Sequence, residues 1–303
     1  MNTPLPSLRQ LAYLVALHEH QHFGRAAAAC FVTQPTLSVG IAELEELLGV
    51  VLVERSKRSL RFTALGEDVA ARARQLIRGA EDLCAAAHGA REPLVGPVRM
   101  AAIPTVAPFV LPRILGGMSR SWPQLRLLVR EMLTGPACEG LQRGTLDCVL
   151  LALPAACGNV EAYDIAVDRL LLATSSGDAG PDTRASLDSI DAARLLVLED
   201  GHCLRDHALT ACKASRPAAD APLVASTLET LVRLVDAGLG VTLLPEMAVA
   251  AGVLAGSRVR SQAIEGDGVE RRIALVWRRD HPRKAEFRLL GRSIRDVLDS
   301  AAG

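Results

Sequence analysis

Apolar residues in the first 50 positions recur at spacings of three and four, which predicts short amphipathic helices. A first helix has its apolar face at residues 8–15, and the alanine-rich segment 23–30 forms a second. A third begins at 33–36, where threonine or glutamine can cap the helix and proline suits its first turn. Leucine and isoleucine then repeat up to Gly49, a typical helix stop.

The second and third helices, joined by a tight turn, form a helix-turn-helix shape. Side chains at the start of the third helix suit phosphates and base edges in a major groove, which favours DNA binding by Gln34, Pro35, Thr36 and Ser38. The segment 55–61 follows and contains no acidic residue but four basic ones, namely Arg55, Lys57, Arg58 and Arg61. Such a run is often a solvated loop, but after a helix-turn-helix it fits a β wing against the DNA backbone.

Residues 67–91 contain no proline and predict one long helix. Its apolar positions alternate spacings of four and three, as in a heptad seam, at Val69, Ala73, Leu76, Ala80, Leu83 and Ala87. A helix packed on its own domain would show a similar pattern. Because the segment separates two differently patterned regions, we interpret it as a dimerising linker with a hinge at 91–97.

From residue 97 onward, apolar runs alternate with helical patterns. Strands are predicted at 98–103, 125–129, 146–153, 194–198, 240–244 and 273–277, with a helix that starts at Pro104-Thr105. This alternation predicts a mostly parallel sheet covered by helices. The polar stretches 174–191 and 254–269 predict surface loops.

The bulk composition narrows the possible functions. The 303 residues carry a formal net charge of zero, so contact with nucleic acid must come from a local patch, and 3% aromatics disfavour a stacking platform for single strands. We find no apolar run of transmembrane length and no signal-type segment, so we expect a cytoplasmic protein with no membrane partner. Seven cysteines, an odd number, argue against a structural disulfide framework in that compartment.

The chain resembles the LysR-type transcription regulators along nearly its whole length. The family's N-terminal pattern appears as Phe23, Ala26-Ala27, Gln34-Pro35-Thr36-Leu37-Ser38, Ile41, Leu44-Glu45, Leu48-Gly49, Glu54-Arg55, Arg58, Phe62-Thr63 and Gly66. Its later part appears as Gly144-Thr145-Leu146-Asp147 and Gly238-Leu239-Gly240-Val241-Thr242-Leu243-Leu244-Pro245. One departure is Ala42-Glu43, where relatives often carry bases, so phosphate contacts must depend on the wing.

The resemblance implies an α/β protein with three parts: a winged helix-turn-helix at 1–66, all-α with a β wing, a linker helix at 67–91, and a regulatory domain at 92–303. That domain would consist of two Rossmann-like subdomains, at about 92–165 with 268–303 and at about 166–267, around an effector cleft. The family also implies a homodimer or homotetramer on operator DNA, with RNA polymerase as a further partner.

Within the family, the likeness is to the peroxide-sensing branch, OxyR. The segment 198–206 matches its hallmark, and Cys212 follows at that branch's spacing. The resemblance implies that Cys203 reacts with hydrogen peroxide, that Cys212 resolves the product to a disulfide, and that glutaredoxin or thioredoxin reverses it. The peroxide pocket would comprise Thr105, Thr134, His202, Arg205, Asp206 and Arg271.

The residues themselves are compatible with this chemistry. Peroxide is attacked by a thiolate, which requires a lowered pKa. Asp200-Gly201 predicts a helix start that places Cys203 in the first turn, where the helix dipole and Arg205 favour negative charge. The alternatives are a buried thiol at 203, an ordinary helix cysteine at 212, a simple helix cap at Thr105, and surface roles for His202 and Arg205.

Three functions therefore stay open: a peroxide-responsive DNA-binding regulator, a LysR-type regulator of a small organic effector that never uses its thiols, and a thiol peroxidase with an added DNA-binding domain. We expect the first, and no enzyme, because no CxxC motif, metal cluster, phosphate loop or hydrolase triad is visible. We accordingly expect no cofactor and no metal.

Overall fold

The computed structural model describes residues 5–55, 60–89, 93–177, 185–187, 190–213, 224–265 and 269–300. The chain divides into two compact units, 1–87 and 88–303, and each is described by itself.

The first unit is helical with a small β ribbon. Its elements are α1 (Leu8–His20), α2 (Phe23–Ala29), α3 (Gln34–Leu48), β1 (Val53–Arg55), β2 (Leu60–Phe62) and the long α4 (Ala64–Gly89), which ends just beyond it. Thr33 caps α3, and Gly49 ends it in the left-handed conformation, as the sequence predicts. β1 and β2 pair antiparallel, and the helices enclose an apolar core around Leu14, Leu37 and Leu44. These elements form a helix-turn-helix followed by a β wing.

The second unit is a mixed α/β structure. Its elements are β3 (Gly96–Ala102), α5 (Ala107–Ser121), β4 (Leu125–Glu131), α6 (Thr134–Gln142), β5 (Cys148–Leu153), β6 (Val160–Thr174), α7 (Cys203–Ala211), α8 (Leu228–Asp236), β7 (Thr242–Pro245), α9 (Glu246–Ala250), β8 (Arg260–Gln262), β9 (Glu270–Arg278) and α10 (Lys284–Ser300). The sheet order is β4-β3-β5-β9-β6-β7, and β8 pairs with β6.

The prediction of a mostly parallel sheet is wrong. Among the described strands, the parallel pairs are β3 with β4 and β3 with β5, whereas β9 runs antiparallel to β5 and β6, and β6 runs antiparallel to β7 and β8. The reason is that β9 returns from late in the chain and inserts between β5 and β6. Strand direction then depends on a long-range return of the chain that local patterns do not encode.

Some local predictions also differ from the structure. The strand predicted at 194–198 is instead a short 3-10 turn at Ala192–Arg194 followed by isolated bridges at Leu195 and Leu198. The polar stretch 254–269, predicted as loop, contributes β8. The helix expected from Pro104-Thr105 begins at Ala107. The long strand β6 had no counterpart in the sequence-based prediction.

β6 links two separate apolar cores of the second unit. Its first part pairs with β9 and contributes Ile165 to the first core, which also contains residues of β3, β5, α5, α6 and α10. Its last part pairs with β7 and β8 and contributes Leu170 and Leu172 to the second core, built around α7, α8 and β7. The site described below lies where these two cores meet.

Among the described residues, no single helix is long and apolar enough to cross a membrane. α2 and α3 taken together reach the required length and hydropathy, but they are bent by 97° at the break between them. Across the same residues, no group of three or more His, Cys, Asp or Glu side chains is placed to hold a metal ion.

Candidate functional site

The start of α3 presents an exposed polar surface. Gln34, Pro35 and Thr36 are exposed and Ser38 is half-buried, while Leu37 on the same helix lies in the core. Gly40 explains how closely α3 packs on α1, because a Cβ there would lie 2.6 Å from the Tyr13 ring. The helix is thus anchored on one face and free on the other, as insertion into a groove requires.

Two partly buried hydrogen bonds connect the wing to α3. Glu45 of α3 accepts from the backbone N–H groups of Leu52 and Val53 at 2.8 and 3.0 Å, so it fixes where β1 begins. Arg61 on β2 is exposed. Lys57 and Arg58 lie outside the described residues, as does the side chain of Arg55, so their DNA contacts stay predictions.

The predicted seam of α4 divides into a packed part and an exposed part. Ala73 is buried within the first unit, and Val69 is half-buried against the same core. Leu76 and Leu83 are 57% and 74% exposed. Large exposed leucines on one helix are typical of an interaction surface, and the dimerising role of the seam stays a prediction. The side chain of Ala87 lies outside the described set.

Cys203 is the first residue of α7, as predicted. Gly201 has φ +97°, a conformation that favours glycine, and His202 occupies the N-cap position. The thiol belongs to the first core, whereas Leu204 and Leu209 of the same helix belong to the second. α7 therefore joins the two cores, with the thiol at its N-terminal end.

A pocket opens onto the Cys203 thiol. Its lining residues are Thr134, Gly135, Pro154, Ala155, Ala156, Gly201, Cys203 and Asp206. The Thr134 hydroxyl oxygen is buried and has no hydrogen-bond partner among the described residues. It faces the thiol closely enough to lower the pKa of Cys203, although the geometry is not that of a normal hydrogen bond.

The electrostatics of the thiol differ from the expectation of a lowered pKa. Burial raises the pKa of the Cys203 thiol above its ordinary value, and this effect outweighs the neighbouring Arg271, the Thr134 hydroxyl and the Ala152 backbone, all of which lower it. The cation that acts on the thiol is Arg271, on β9, and not the predicted Arg205.

Arg271 is held by a network that sequence patterns did not reveal. Its side chain is fully buried and pairs with Asp168 of β6 at 2.9 Å. It also donates to the Thr105 hydroxyl and to the Thr105 carbonyl, each at 2.9 Å. Thr105 is therefore not a helix cap: it precedes α5 and is positioned by Arg271. The only sequence signal for Asp168 is the charged pair Asp168-Arg169 within an otherwise apolar run at 165–173.

The other predicted pocket residues occupy different positions. Arg205 donates to the Leu198 carbonyl at 3.2 Å and pairs with Asp200 at 3.3 Å, which braces the start of α7. Asp206 is exposed and lines the thiol pocket. His202 is buried, and burial lowers its pKa, which favours the neutral ring. His207, absent from the prediction, bonds the Pro154 carbonyl at 3.3 Å and adds a further contact between α7 and the pocket wall.

Cys212 follows directly after α7, at its C-cap, and is a free, half-buried thiol packed against the second core. Cys203 is also a free thiol. The two sulfurs thus occupy opposite ends of an intact helix and different cores.

A second cysteine pair differs from the expectation that the chain has no structural disulfide framework. Cys138 of α6 and Cys157, after β5, are joined by a disulfide with a Cα–Cα distance of 4.8 Å. An odd number of cysteines leaves at least one of them unpaired, but the other six can still form disulfides. Their proximity arises from the packing of α6 on the segment after β5, which spacing along the chain does not show.

A second pocket lies between the two cores. Its wall includes Thr105, Phe109, Leu133, His202 and Thr227, with the carboxylates of Glu131, Glu199 and Glu229. Neither lysine nor arginine is among its described lining residues. The predicted pocket residues are therefore divided: Thr134 and Asp206 share one pocket with Cys203, and Thr105 and His202 line another.

Two family models match the chain. Residues 8–67 match the bacterial regulatory helix-turn-helix of the lysR family, and residues 91–299 match the LysR substrate binding domain. The HTH-type transcriptional regulator EstR of Acinetobacter baylyi is 45% identical over 284 residues, covering 93% of this chain and 94% of that protein.

Similarity also extends to OxyR proteins. The DNA-binding transcriptional dual regulator OxyR of Escherichia coli K12 is 38% identical over 295 residues, covering 97% of this chain and 96% of that protein. The structure of a full-length OxyR variant from Pseudomonas aeruginosa superposes with a TM-score of 0.76 at 32% identity, covering 96% of this chain and 98% of the other. By these matches, which span both units, the chain belongs to the LysR family of DNA-binding transcriptional regulators.

Proposed function

We propose that the chain is a hydrogen-peroxide-responsive regulator that switches its DNA binding through a reversible disulfide between Cys203 and Cys212. The observation that carries the proposal is the thiol pocket at the start of α7, where a buried hydroxyl with no hydrogen-bond partner among the described residues faces a free cysteine. A buried hydroxyl without a partner is costly, and a bound peroxide oxygen would satisfy it.

The chemistry balances without a cofactor. The Cys203 thiolate attacks one peroxide oxygen, the O–O bond breaks, and the departing hydroxide takes a proton and leaves as water. Cys203 is then a sulfenic acid. The Cys212 sulfur attacks it, the S–O bond breaks, a second water leaves, and a disulfide results. A dithiol reductant such as glutaredoxin or thioredoxin would restore both thiols by exchange.

The disulfide would require α7 to unfold. The two residues lie nine positions apart, which along an α-helix is about 13 Å. A disulfide needs Cα atoms roughly 4.4 to 6.8 Å apart. Closing the bond also removes Leu204 and Leu209 from the second core, and burial of each stabilises the present state by roughly 1.5–3 kcal/mol. The covalent bond therefore excludes the fold seen here and can drive a two-state switch.

The conformational change of this segment would be transmitted to operator DNA through a homodimer or homotetramer. In this proposal α3 and the wing bind the DNA, α4 pairs two chains, and a changed surface near α7 repositions the paired heads in the cytoplasm, with RNA polymerase as the downstream partner. The exposed leucines of α4 support the pairing. Two-fold pairing would match a two-fold operator.

Thiol mapping tests the proposal. The full chain receives a brief, low dose of peroxide, free thiols are alkylated, and the peptides are identified by mass spectrometry. We expect a Cys203–Cys212 disulfide in the wild type, none in Cys203→Ser, and a sulfenic acid at Cys203 in Cys212→Ser. A wild-type protein that changes its DNA binding while both cysteines stay thiols would contradict the proposal.

The second pocket supports one alternative. Its three carboxylates and apolar walls suit a small organic effector that is cationic or neutral. The same Cys203→Ser variant separates the two functions: an effector-driven regulator keeps its response, and a peroxide-driven one loses it.

A further inference from the structure

The Cys138–Cys157 disulfide joins the two elements that surround Cys203. Cys138 lies one helical turn after Thr134 on α6, so both side chains occupy the same face. Cys157 follows Pro154, Ala155 and Ala156, which line the thiol pocket. The disulfide thus connects α6, which carries the Thr134 hydroxyl, to the segment that contributes Pro154, Ala155 and Ala156 to the same pocket.

Two groups that lower the pKa of the Cys203 thiol come from these elements. The Thr134 hydroxyl belongs to α6, and the Ala152 backbone precedes Cys157 on the same segment. His207 of α7 adds a bond to the Pro154 carbonyl. A covalent link between Cys138 and Cys157 therefore restrains the position of both groups relative to the thiol.

The two sulfurs are positioned to react with each other in place. Gln142 Nε2 donates to the Cys157 carbonyl at 2.7 Å, so a hydrogen bond also joins α6 to this segment. Reduction of the disulfide would leave the Gln142 hydrogen bond in place, and the two thiols would stay close enough to re-form the disulfide. This contrasts with Cys203 and Cys212, which α7 holds apart.

We propose that Cys138 and Cys157 form a second reversible redox couple, whose disulfide holds α6 and the 154–157 segment in the arrangement that makes Cys203 reactive. Its effect on Cys203 rests on the proposed function. Disulfides that occur in reducing compartments are usually redox-sensing or catalytic, which favours a reversible role over a purely structural one.

The couple takes two electrons from the chain to a hydroperoxide. One thiolate attacks the peroxide, the O–O bond breaks, and water leaves after proton transfer. The other sulfur attacks the sulfenic acid, the S–O bond breaks, a second water leaves, and the disulfide forms. A dithiol reductant reverses this through a mixed disulfide and is itself oxidised. Both sulfurs are buried, and neither residue lines a described pocket, so the couple responds more slowly than Cys203.

The functional consequence concerns the Thr134 hydroxyl. With the disulfide closed, that hydroxyl faces the Cys203 sulfur and lowers its pKa. With the disulfide open, α6 is less restrained and this effect weakens. The couple would therefore set the sensitivity of the sensor thiol: a cell with oxidised couples detects peroxide at lower doses.

The first experiment maps the couple in the full chain. The protein is purified without reductant, a second sample is treated with tris(2-carboxyethyl)phosphine, and part of that sample is then exposed to peroxide before alkylation and mass spectrometry. We expect a Cys138–Cys157 disulfide in the untreated sample, its loss after reduction, and its return after exposure to peroxide. Thiols at 138 and 157 under every condition, or a disulfide that resists the reductant in the folded chain, would overturn the proposal.

The second experiment measures the rate at which Cys203 reacts with peroxide. Cys138→Ser and Cys157→Ser should slow it equally, by roughly threefold, because a less restrained Thr134 hydroxyl stabilises the thiolate less and lowers the thiolate fraction. Cys84→Ser, an exposed cysteine on α4, is the matched control and should leave the rate unchanged. Rates equal to wild type in both variants would overturn the coupling.

Wild-type protein supplies an arm that does not depend on the folding of the variants. After reduction and removal of reductant, the Cys203 rate is measured at once, before the couple reoxidises, and should be lower than in the untreated chain. An unchanged rate would overturn the coupling. If Cys203 never reacts with peroxide while the 138–157 disulfide still cycles, the proposed function fails and the second couple stands.

Discussion

At Cys203, burial opposes ionisation while a neighbouring cation favours it, and burial dominates in the structure. The sequence predicts where this residue lies, because Asp200-Gly201 interrupts the chain just before an alanine-containing helix. The resemblance includes Arg271 among the pocket residues, but local patterns do not show its position near the thiol or its partner Asp168, because β9 and β6 come together only through the pairing of distant strands. Local motifs therefore place Cys203, the proposed nucleophile, at the start of α7, but they do not reveal its electrostatic environment.

At the residue scale, the Thr134 hydroxyl can be separated from the stability of the fold. Thr134→Val should slow the peroxide reaction about tenfold, the loss of about 1.4 kcal/mol that one hydrogen bond contributes. Stability should stay equal or increase, because the hydroxyl has no partner in the described structure. Stopped-flow kinetics and chemical denaturation measure the two quantities. Thr134→Ser retains the hydroxyl and serves as control; a Val variant with the wild-type rate would show that the hydroxyl does not contact peroxide.

The pH dependence follows from the raised pKa of the Cys203 thiol. A raised pKa means that little thiolate exists at pH 7, and that its fraction keeps increasing through and above the ordinary cysteine value of about 8.5. The rate of Cys203 with peroxide should therefore rise across pH 7 to 9 without a plateau. A rate that is already constant above pH 7 would show instead that the thiol is ionised in the reactive state.

At the element scale, periodic helices are predictable and strands with mixed burial are not. The helices α1 to α3 have clear apolar faces; the structure forms α2 and α3 within one residue of the prediction, whereas α1 continues five residues beyond its predicted apolar face. In contrast, β6 carries Glu161, Asp164, Asp168 and Arg169 between its apolar residues and contains a bulge after Asp164. Each half of this strand is buried by a different core, so no single alternation describes it.

The wing provides a prediction for one element. Arg61 is exposed on β2, where a basic side chain would contact a DNA phosphate. Arg61→Ala should weaken binding to all duplexes alike and reduce the salt-dependence slope by about 0.9, one phosphate contact. Gln34→Ala should instead change sequence preference. Fluorescence anisotropy at several salt concentrations, with selected and random duplexes, checks both. An Arg61 variant that loses affinity only for the selected duplex would assign that side chain to base recognition.

At the scale of the whole molecule, pairing through α4 should control DNA binding. Leu76 is 57% exposed, so Leu76→Glu should fold normally yet disrupt association with a second chain. Gln75→Glu adds the same charge at an adjacent exposed position and is the matched control. Analytical ultracentrifugation and operator binding should fall together for Leu76→Glu alone. If that variant keeps both its oligomeric state and its affinity, α4 is not the pairing element.

In the proposed switch, one disulfide changes how the paired chains contact DNA. The most direct measurement is a footprint on a duplex obtained by in vitro selection, recorded before and after one equivalent of peroxide, with the Cys203–Cys212 disulfide quantified in the same samples. We predict that the footprint changes in proportion to the disulfide, reverts on treatment with a dithiol, and stays fixed in Cys203→Ser. A footprint that is unchanged when the disulfide is complete, or that changes equally in Cys203→Ser, would contradict the account.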